Sequence, residues 1–222
     1  MSSTVVVAID GPSGSGKSST ARGVAARLAL RYLDTGAMFR AMTWALLREG
    51  VDVDDPVAVA ARCGAPEIVS GTDPEGPTVH VDGHDVAAAI RLIDVTRAVS
   101  AVSAVPEVRA RLLGMQREII GEGGIVVEGR DIGSVVWPQA EVKVYLTADA
   151  SARAVRRTAE EGGGDVSATE QILLDRDRVD SGRATAPLAM APDAHHIDTT
   201  PYTLEEVIGR VVALVEAGTE PA

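Results

Sequence analysis

The chain has 222 residues, of which 45% are hydrophobic and 24% are charged, and its formal net charge at pH 7 is −11. A chain of this length and composition can bury a full core, as one large domain or as one domain with insertions. The acidic balance argues against general binding of nucleic acids or anionic membranes. Only Lys17 and Lys143 among the 21 basic residues are lysines, so an anionic ligand would need a local cluster of arginines.

The single cysteine, Cys63, excludes an internal disulfide and is typical of a protein kept in a reducing compartment. The N-terminus carries no charged segment ahead of an apolar one. No stretch of the chain approaches the roughly 18 apolar residues that a membrane span needs. We therefore expect a cytoplasmic protein with neither a signal peptide nor a membrane span.

The first predicted element is a buried strand, Val5 to Ile9, which leads into a glycine-rich turn and then a helix. Residues 11–18, GPSGSGKS, fit the pattern G-x-x-x-x-G-K-[ST]. Its glycines let successive backbone N–H groups face a phosphate, and the helix N-terminus adds partial positive charge. The alternative is a glycine-rich turn with an incidental lysine.

This pattern, the phosphate loop, predicts specific roles for two of its side chains. Lys17 would reach the β- and γ-phosphates of a nucleotide, and the Ser18 hydroxyl would bind Mg²⁺. We expect ATP to be bound by the whole loop and the residue after it: Gly11, Pro12, Ser13, Gly14, Ser15, Gly16, Lys17, Ser18 and Ser19.

The next elements alternate between helices and short β-prone segments. Helices are predicted over 18–30, 37–48 and 56–62, with a short strand at 32–34. Residues 64–92 differ, because prolines and glycines there interrupt two short β-prone pieces, 67–70 and 78–81. This segment predicts a small antiparallel β insert.

The second half of the chain returns to longer elements. Helices are predicted over 94–104 and 106–120, separated at Pro106, and then over 152–160, 167–180 and 203–217. The helix at 167 opens with Ser167-Ala168-Thr169-Glu170, a capping-box pattern. Strands are predicted at 125–127, 142–146 and 196–198, and glycines 162–164 predict a flexible hinge.

Strands that alternate with helices predict an α/β fold with a doubly wound parallel sheet. Ligands in such folds bind at the carboxyl ends of the strands, where the phosphate loop, Asp34 to Gly36 and Glu128 to Asp131 all fall. The predicted division is a core (1–34, 93–152 and 184–222), a region at 35–92 with the insert 64–92, and a helical lid (153–183).

Arginines follow the predicted strand ends and the later helices in greater number than one nucleotide requires: Arg40, Arg109, Arg130, Arg153, Arg156, Arg157, Arg176, Arg178 and Arg183. Two phosphate-bearing substrates would use them, since phosphoryl transfer depends mainly on alignment and charge neutralisation. The spacing of 153, 156 and 157 puts three arginines on one helix face, next to the glycine hinge. This predicts a lid that closes over phosphates and excludes water. The alternative for each arginine is a solvated position beside an acid such as Asp175 or Asp177.

Other classes of nucleotide-binding protein fit less well. The N-K-x-D pattern of a GTPase is absent, and Ser19 interrupts a G-x-G-x-x-G dinucleotide pattern. The strand at 125–127 ends in Glu-Gly-Arg-Asp instead of the paired acids of a motor ATPase. The four histidines suggest surface or structural roles, while Phe39 could pack in the core or contact a base or sugar.

Several segments together resemble the bacterial cytidylate (CMP) kinases over nearly the whole chain. They are AIDGPSGSGKSS (8–19), YLDTGAMFR (32–40), VSAVSAVPEVRARLL (99–113), VVEGRDIGSVVWPQA (126–140), R-x-x-x-D-x-x-R (176–183) and IDTT (197–200). The resemblance implies a P-loop nucleoside monophosphate kinase that converts ATP and CMP, or dCMP, to ADP and CDP or dCDP. It also implies Mg²⁺ as cofactor, a monomer, and a monophosphate-binding role for the region 35–92.

The resemblance also implies individual roles. Ser100, Arg109 and Asp131 would read the cytosine edge. Arg40, Arg130 and Arg183 would hold the CMP phosphate, while Arg176 and Asp180 would contact the ribose. Thr35 and Phe39 belong to the same substrate-binding set. Arg153, Arg156 and Arg157 would meet the ATP phosphates as the lid closes, and catalysis would depend on Lys17, Arg130, Arg153, Arg157 and Arg183.

Two positions depart from the family pattern. Phe39 stands where the family has tyrosine, and Ser181-Gly182 replaces a more polar pair in the lid. Two alternative functions stay open: a P-loop kinase with another small acceptor, such as a different nucleoside monophosphate, and a non-catalytic ATP-binding regulatory protein.

Overall fold

The structure is a computed structural model that describes residues 4–160, 162–182 and 188–219. In chain order the strands and helices are β1 (Val6–Asp10), α1 (Lys17–Arg27), β2 (Arg31–Asp34), α2 (Thr35–Arg48), α3 (Pro56–Arg62), β3 (Ile68–Ser70), β4 (Val79–Val81), β5 (His84–Asp85), α4 (Ile93–Ala104), α5 (Pro106–Ile120), β6 (Ile125–Gly129), β7 (Val142–Thr147), α6 (Ala150–Glu160), α7 (Val166–Ser181), β8 (His195–Asp198) and α8 (Leu204–Thr219). A 3₁₀ turn occupies Ala89–Arg91 and a π-helical turn occupies Ile132–Val136.

The predicted helices and strands are all present close to their predicted bounds, whereas strand β5 and the two short turns were not predicted. The cap of α7 was predicted wrongly. Asp165, and not Ser167, caps this helix, because the Asp165 carboxylate accepts from the backbone N–H groups of Ser167 and Ala168. A carboxylate at this position also interacts favourably with the helix dipole.

The chain divides into two compact units, and the first comprises the residues up to Arg31 and from Glu122 onwards. Its sheet has the strand order β6-β1-β7-β8, and all the pairs are parallel. Every residue of β1 is buried, as expected for a strand with parallel neighbours on both edges. The register places Asp10 at the end of β1, opposite Gly129 of β6 and Tyr145 of β7. The residues after these strand ends therefore lie together.

The second unit comprises Tyr32–Gly121. Helix α2 packs against α4, and the predicted insert forms a three-stranded antiparallel sheet in the order β3-β4-β5. Arg111 of α5 donates to the backbone carbonyls of Cys63 and Pro66. Helices α4 and α5 thus belong to this compact unit, although the predicted division assigned them to the core. That three-part functional division stays a prediction.

Cys63, at the C-terminal end of α3, is buried, and burial raises the pKa of its thiol. Its Sγ donates to the Ala60 carbonyl. Among the helices of the described residues, none combines the length and the apolar character that crossing a bilayer would require.

Gly23 of α1 lies against Ile208 of α8 in the first unit. Alanine inside a helix is ordinarily about 1 kcal/mol more favourable than glycine. A Cβ atom at Gly23 would instead overlap Ile208 Cδ1 and lie 2.9 Å from its Cγ1. We expect Gly23→Ala to lower the free energy of unfolding by about 1–3 kcal/mol, measured by urea denaturation.

Gly209 of α8 is the matched control, because a Cβ atom there meets nothing within 4 Å. Gly209→Ala should therefore stabilise the chain by up to about 1 kcal/mol. Adding Ile208→Val to Gly23→Ala removes the overlapping methyl group and should restore part of the loss. Equal stability of Gly23→Ala and Gly209→Ala would contradict this packing.

Candidate active site

The phosphate loop connects β1 to α1, and its glycines meet specific backbone requirements. Gly11, Gly14 and Gly16 have φ angles of 144°, 77° and 88°, which side-chain-bearing residues rarely adopt. At Gly11 a Cβ atom would also overlap the Leu146 carbonyl oxygen of β7. Helix α1 begins at Lys17, so its N-terminus lies at the loop. The predicted strand–loop–helix arrangement is therefore present.

Three cationic side chains contact consecutive carbonyl groups of this loop. Arg130 Nη1 donates to Gly11 O at 3.1 Å, Lys17 Nζ to Pro12 O at 2.7 Å, and Arg153 Nη1 to Ser13 O at 2.9 Å. Lys17 and Arg153 are buried, and the Arg130 side chain is 20% exposed. The sequence predicted all three as phosphate-binding residues, and the structure brings them to one loop.

Both arginines of this set also form ion pairs with aspartates of α7. Arg130 Nε lies 3.0 Å from Asp180 Oδ2, and Arg153 Nη1 lies 2.5 Å from Asp177 Oδ2. Asp180 is buried. The Arg153 Nε and Asp177 Oδ1 atoms are buried without a hydrogen-bond partner. The sequence offered Asp177 only as a possible partner of a solvated arginine, which was the alternative to a phosphate-binding role; its pairing with the buried Arg153 was not apparent from local pattern.

Arg176 of α7 lies in the same cationic region. Its pKa is lowered to about 10, mainly by burial and then by the positive charges of Arg130 and Arg157. Its Nε is also buried without a partner. Arg178 differs, since its side chain is 77% exposed and pairs with Asp175. The solvated alternative therefore holds for Arg178, while an anion would be favourable beside Arg176.

Arg156 of α6 reaches the loop through Thr199. Its Nη1 and Nη2 donate to Thr199 Oγ1 and O at 2.9 and 2.8 Å. The Thr199 hydroxyl lies 3.1 Å from Ser15 O and 3.0 Å from Thr147 O. Thr199, in the family-like segment 197–200, thus holds Arg156, which is predicted to bind ATP.

Asp10, the residue before the loop, was not among the predicted site residues. Its Oδ1 and Oδ2 accept from the N–H groups of Ile132 and Gly133, both at 2.8 Å. Its pKa is raised to about 6, mainly by burial and partly by Asp131, although both hydrogen bonds and Lys17 lower it. The sequence shows only an aspartate at a strand end; these partners, 122 and 123 positions away, come from the strand pairing.

Tyr145 of β7 is a second position that sequence reasoning missed. It is half-buried, and burial raises the pKa of its phenol, with smaller contributions from Asp10 and Asp177 and an opposing one from Arg130. The register with Asp10 places this residue at the same strand ends.

The second unit holds the predicted substrate residues Thr35, Phe39, Arg40, Ser100 and Arg109. Arg40 is buried, and its Nη1 donates to Ile90 O at 3.1 Å and to Thr96 Oγ1 at 2.9 Å. The Arg109 guanidinium lies 5.4 Å from the centre of the Phe39 ring, within the range of a cation–π interaction. Ser100 Oγ is buried without a partner. Thr35 is the first residue of α2 and is buried.

The remaining predicted residues are placed as follows. Asp131 is buried after β6, and Ser18 and Ser19 are exposed in the first turn of α1. Arg157 Nη1 of α6 lies 3.6 Å from Glu160 Oε2. Arg183 lies outside the described residues. Within the described ranges no group of three or more histidine, cysteine or acidic side chains could hold a metal ion.

This parallel sheet and its phosphate loop define a P-loop kinase fold. A gluconokinase structure from Sinorhizobium meliloti is 15% identical and covers 97% of this chain and 94% of its own, with a TM-score of 0.51. That likeness concerns the fold alone.

The sequence comparisons identify the family. The cytidylate kinase family model matches residues 7–217. Cytidylate kinases of Streptomyces avermitilis and Streptomyces coelicolor are 58% and 61% identical over 214 residues, each covering 96% of this chain and 93% of the relative. The chain belongs to the cytidylate kinase family.

The ion pair of the buried Arg153 with the partly buried Asp177 gives a stability prediction. Arg153→Ala would leave the Asp177 carboxylate without its cation, so the free energy of unfolding should fall by about 3 kcal/mol. Arg178→Ala is the matched control, because its ion pair with Asp175 is exposed and should contribute less than about 1 kcal/mol. Chemical denaturation measures both; equal losses would contradict the burial of the first pair.

Asp10 gives a pH prediction. Its pKa in the folded chain, about 6, lies above its usual value of 3.8, so the folded state binds this proton more tightly than the unfolded state. The resulting stabilisation is present at low pH and is lost as the pH rises through 6. Between pH 5 and 7.5 the loss is about 1.4 kcal/mol, the equivalent of one pKa unit.

Asp10→Asn removes this titration. The free energy of unfolding of both proteins is measured by denaturation between pH 5 and 7.5. The difference, wild type minus variant, should fall by about 1.4 kcal/mol as the pH rises. A difference that stays constant with pH would show that Asp10 does not titrate in this way.

Proposed function

We propose that this chain transfers the γ-phosphoryl group of ATP to the phosphate of CMP or dCMP, producing ADP and CDP or dCDP. The observation that carries the proposal is the position of Arg130. Its guanidinium contacts both the Gly11 carbonyl of the phosphate loop and the Asp180 carboxylate of α7. Arg130, for which we propose an acceptor-binding role, thus lies directly at the phosphate loop proposed to hold ATP, in a chain of the cytidylate kinase family.

On the donor side, the phosphate loop would hold the ATP phosphates through its backbone N–H groups and Lys17. Ser18 fits the proposed Mg²⁺, since the residue is exposed beside the loop and Mg²⁺ commonly takes one or two protein ligands together with phosphates and water. Both Asp10 oxygens already accept hydrogen bonds. When bound, Mg²⁺ would neutralise phosphate charge during transfer.

On the acceptor side, Arg40, Arg130 and Arg183 would bind the CMP phosphate. The Ser100 hydroxyl, which lacks a partner, and the Arg109 guanidinium would offer hydrogen bonds to the cytosine edge together with Asp131. Thr35 and Phe39 would complete the substrate set. The cation–π contact with Phe39 would orient Arg109 even without the tyrosine hydroxyl of the family pattern.

During transfer the protein would mainly align the two phosphates and stabilise their charge. Arg153, Arg156 and Arg157 of α6 would contact the ATP phosphates, and Arg176 and Asp180 of α7 the ribose of CMP. The two helices would act as a lid that keeps water away, so that CMP and not water receives the phosphoryl group. The division into core, monophosphate-binding region and lid follows these roles.

We further propose that the enzyme works in the cytoplasm as a monomer. The single buried thiol of Cys63 is compatible with a reducing compartment.

An acceptor panel tests the function. The purified chain with Mg·ATP is assayed for ADP release in the presence of CMP, dCMP, UMP, AMP, shikimate or gluconate, with Lys17→Ala as an inactive control. CMP and dCMP should give the highest kcat/KM. Faster turnover of another acceptor would replace CMP as substrate, and the absence of any acceptor-dependent ADP would favour a regulatory ATP-binding protein.

Arg130 gives the mutational prediction. Arg130→Ala removes charged hydrogen bonds worth roughly 1.5–3 kcal/mol, so kcat/KM for CMP should fall about 10- to 150-fold. Arg178→Ala, at an exposed arginine of α7, should leave kcat/KM within error of the wild type. A similar small effect of Arg130→Ala would show that Arg130 is structural only.

A further inference from the structure

Asp10 and Arg130 connect the same two segments in opposite directions. The Asp10 side chain accepts from the backbone of Ile132 and Gly133, and the Arg130 side chain donates to the backbone of Gly11. Residues 10–11 and 130–133 are therefore joined by three hydrogen bonds of 2.8–3.1 Å. Any displacement of one segment must break bonds made by the other.

The turn that Asp10 holds is also confined on its other side. Gly133 lies against the stem of Lys143, where an added Cβ atom would be 3.1 Å from Cδ and 3.2 Å from Cγ. Lys143 is itself buried and paired through Nζ with Asp193 at 2.6 Å. The π-helical turn Ile132–Val136 thus has little freedom, provided that both Asp10 oxygens act as acceptors.

A carboxylate is an unfavourable choice for stability alone at this place. Asp10 is 4% exposed and lies near the negative charge of Asp131, which opposes its ionisation. An ionised carboxylate is nevertheless the side chain best suited to accept from two adjacent N–H groups at once. An asparagine could offer one oxygen only, and its NH₂ group would face the second N–H.

We infer that Asp10 is a positioning residue for phosphoryl transfer: it holds the turn that follows Arg130 in the chain and so fixes this arginine against the phosphate loop. The inference rests on the proposed function and deepens it. No contact between Asp10 and substrate is proposed. It acts through Arg130, so its loss should affect the acceptor reaction more than the binding of ATP.

The first test distinguishes an effect on the reaction of CMP from an effect on the binding of ATP. Asp10→Asn should lower kcat/KM for CMP about 10- to 100-fold while the Kd of a non-hydrolysable ATP analogue changes less than about twofold. Glu141→Gln is the matched control: it removes a carboxylate that accepts from Val6 N at 2.8 Å, at the opposite end of β1. This control should keep the wild-type kcat/KM.

The second test is a double-mutant cycle with Arg130→Ala. If Asp10 acts through Arg130, Asp10→Asn should reduce kcat/KM for CMP by less than about threefold once Arg130 is absent. Multiplicative losses would overturn the inference, and so would equal weakening of CMP and ATP, which indicates general structural damage.

A substrate-independent measurement completes the design. Amide hydrogen exchange should accelerate at Ile132 and Gly133 in Asp10→Asn and remain unchanged in Glu141→Gln. Unchanged exchange in Asp10→Asn would overturn the inference. A wild-type chain that does not phosphorylate CMP would instead refute the proposed function, while the exchange result would still report on the hydrogen bonds between Asp10 and the turn at Ile132 and Gly133.

Discussion

The carbonyl groups of Gly11, Pro12 and Ser13 each accept a hydrogen bond from a cation, and this arrangement determines where the charges of the site lie. A phosphate loop is usually considered for its N–H groups, which face an anion. Here its oxygens fix Arg130, Lys17 and Arg153 around the same few residues. In the proposed function, the cations would thus be arranged before a nucleotide binds, and little reorganisation would be needed when charge develops on the transferred group.

A chain with a net negative charge can maintain this cluster of cations because some of its aspartates lie within the cluster. Asp180 and Asp177 pair with Arg130 and Arg153, so the arginines do not repel one another uncompensated. The compensation is incomplete at Arg176: its Nε has no partner, and its pKa is lowered mainly by burial and then by the positive charges of Arg130 and Arg157. A bound phosphate would supply the missing negative charge. The net charge of −11 therefore describes the surface as a whole and not the site.

Local patterns predicted the parallel α/β fold and the phosphate loop, because strand hydrophobicity and glycine spacing act within a few residues. They could not distinguish Arg153 from Arg178, since both are helical arginines with an acidic partner. Only the packing of α6 on α7 buries one pair and leaves the other in solvent. The contacts of Asp10 depend in the same way on parallel pairing of β1 with β6. The Asp165 cap was missed because a capping-box pattern two residues later also fits the sequence.

The burial of Cys63 makes its thiol a reporter of local motions in the second unit. It is the chain's single thiol, it is buried after α3, and burial raises its pKa. A thiol-directed reagent can react with it only when that unit opens locally, since the native thiol is both inaccessible and protonated. The rate at which Cys63 is alkylated therefore measures how often residues 32–121 open locally, and no engineered label is needed.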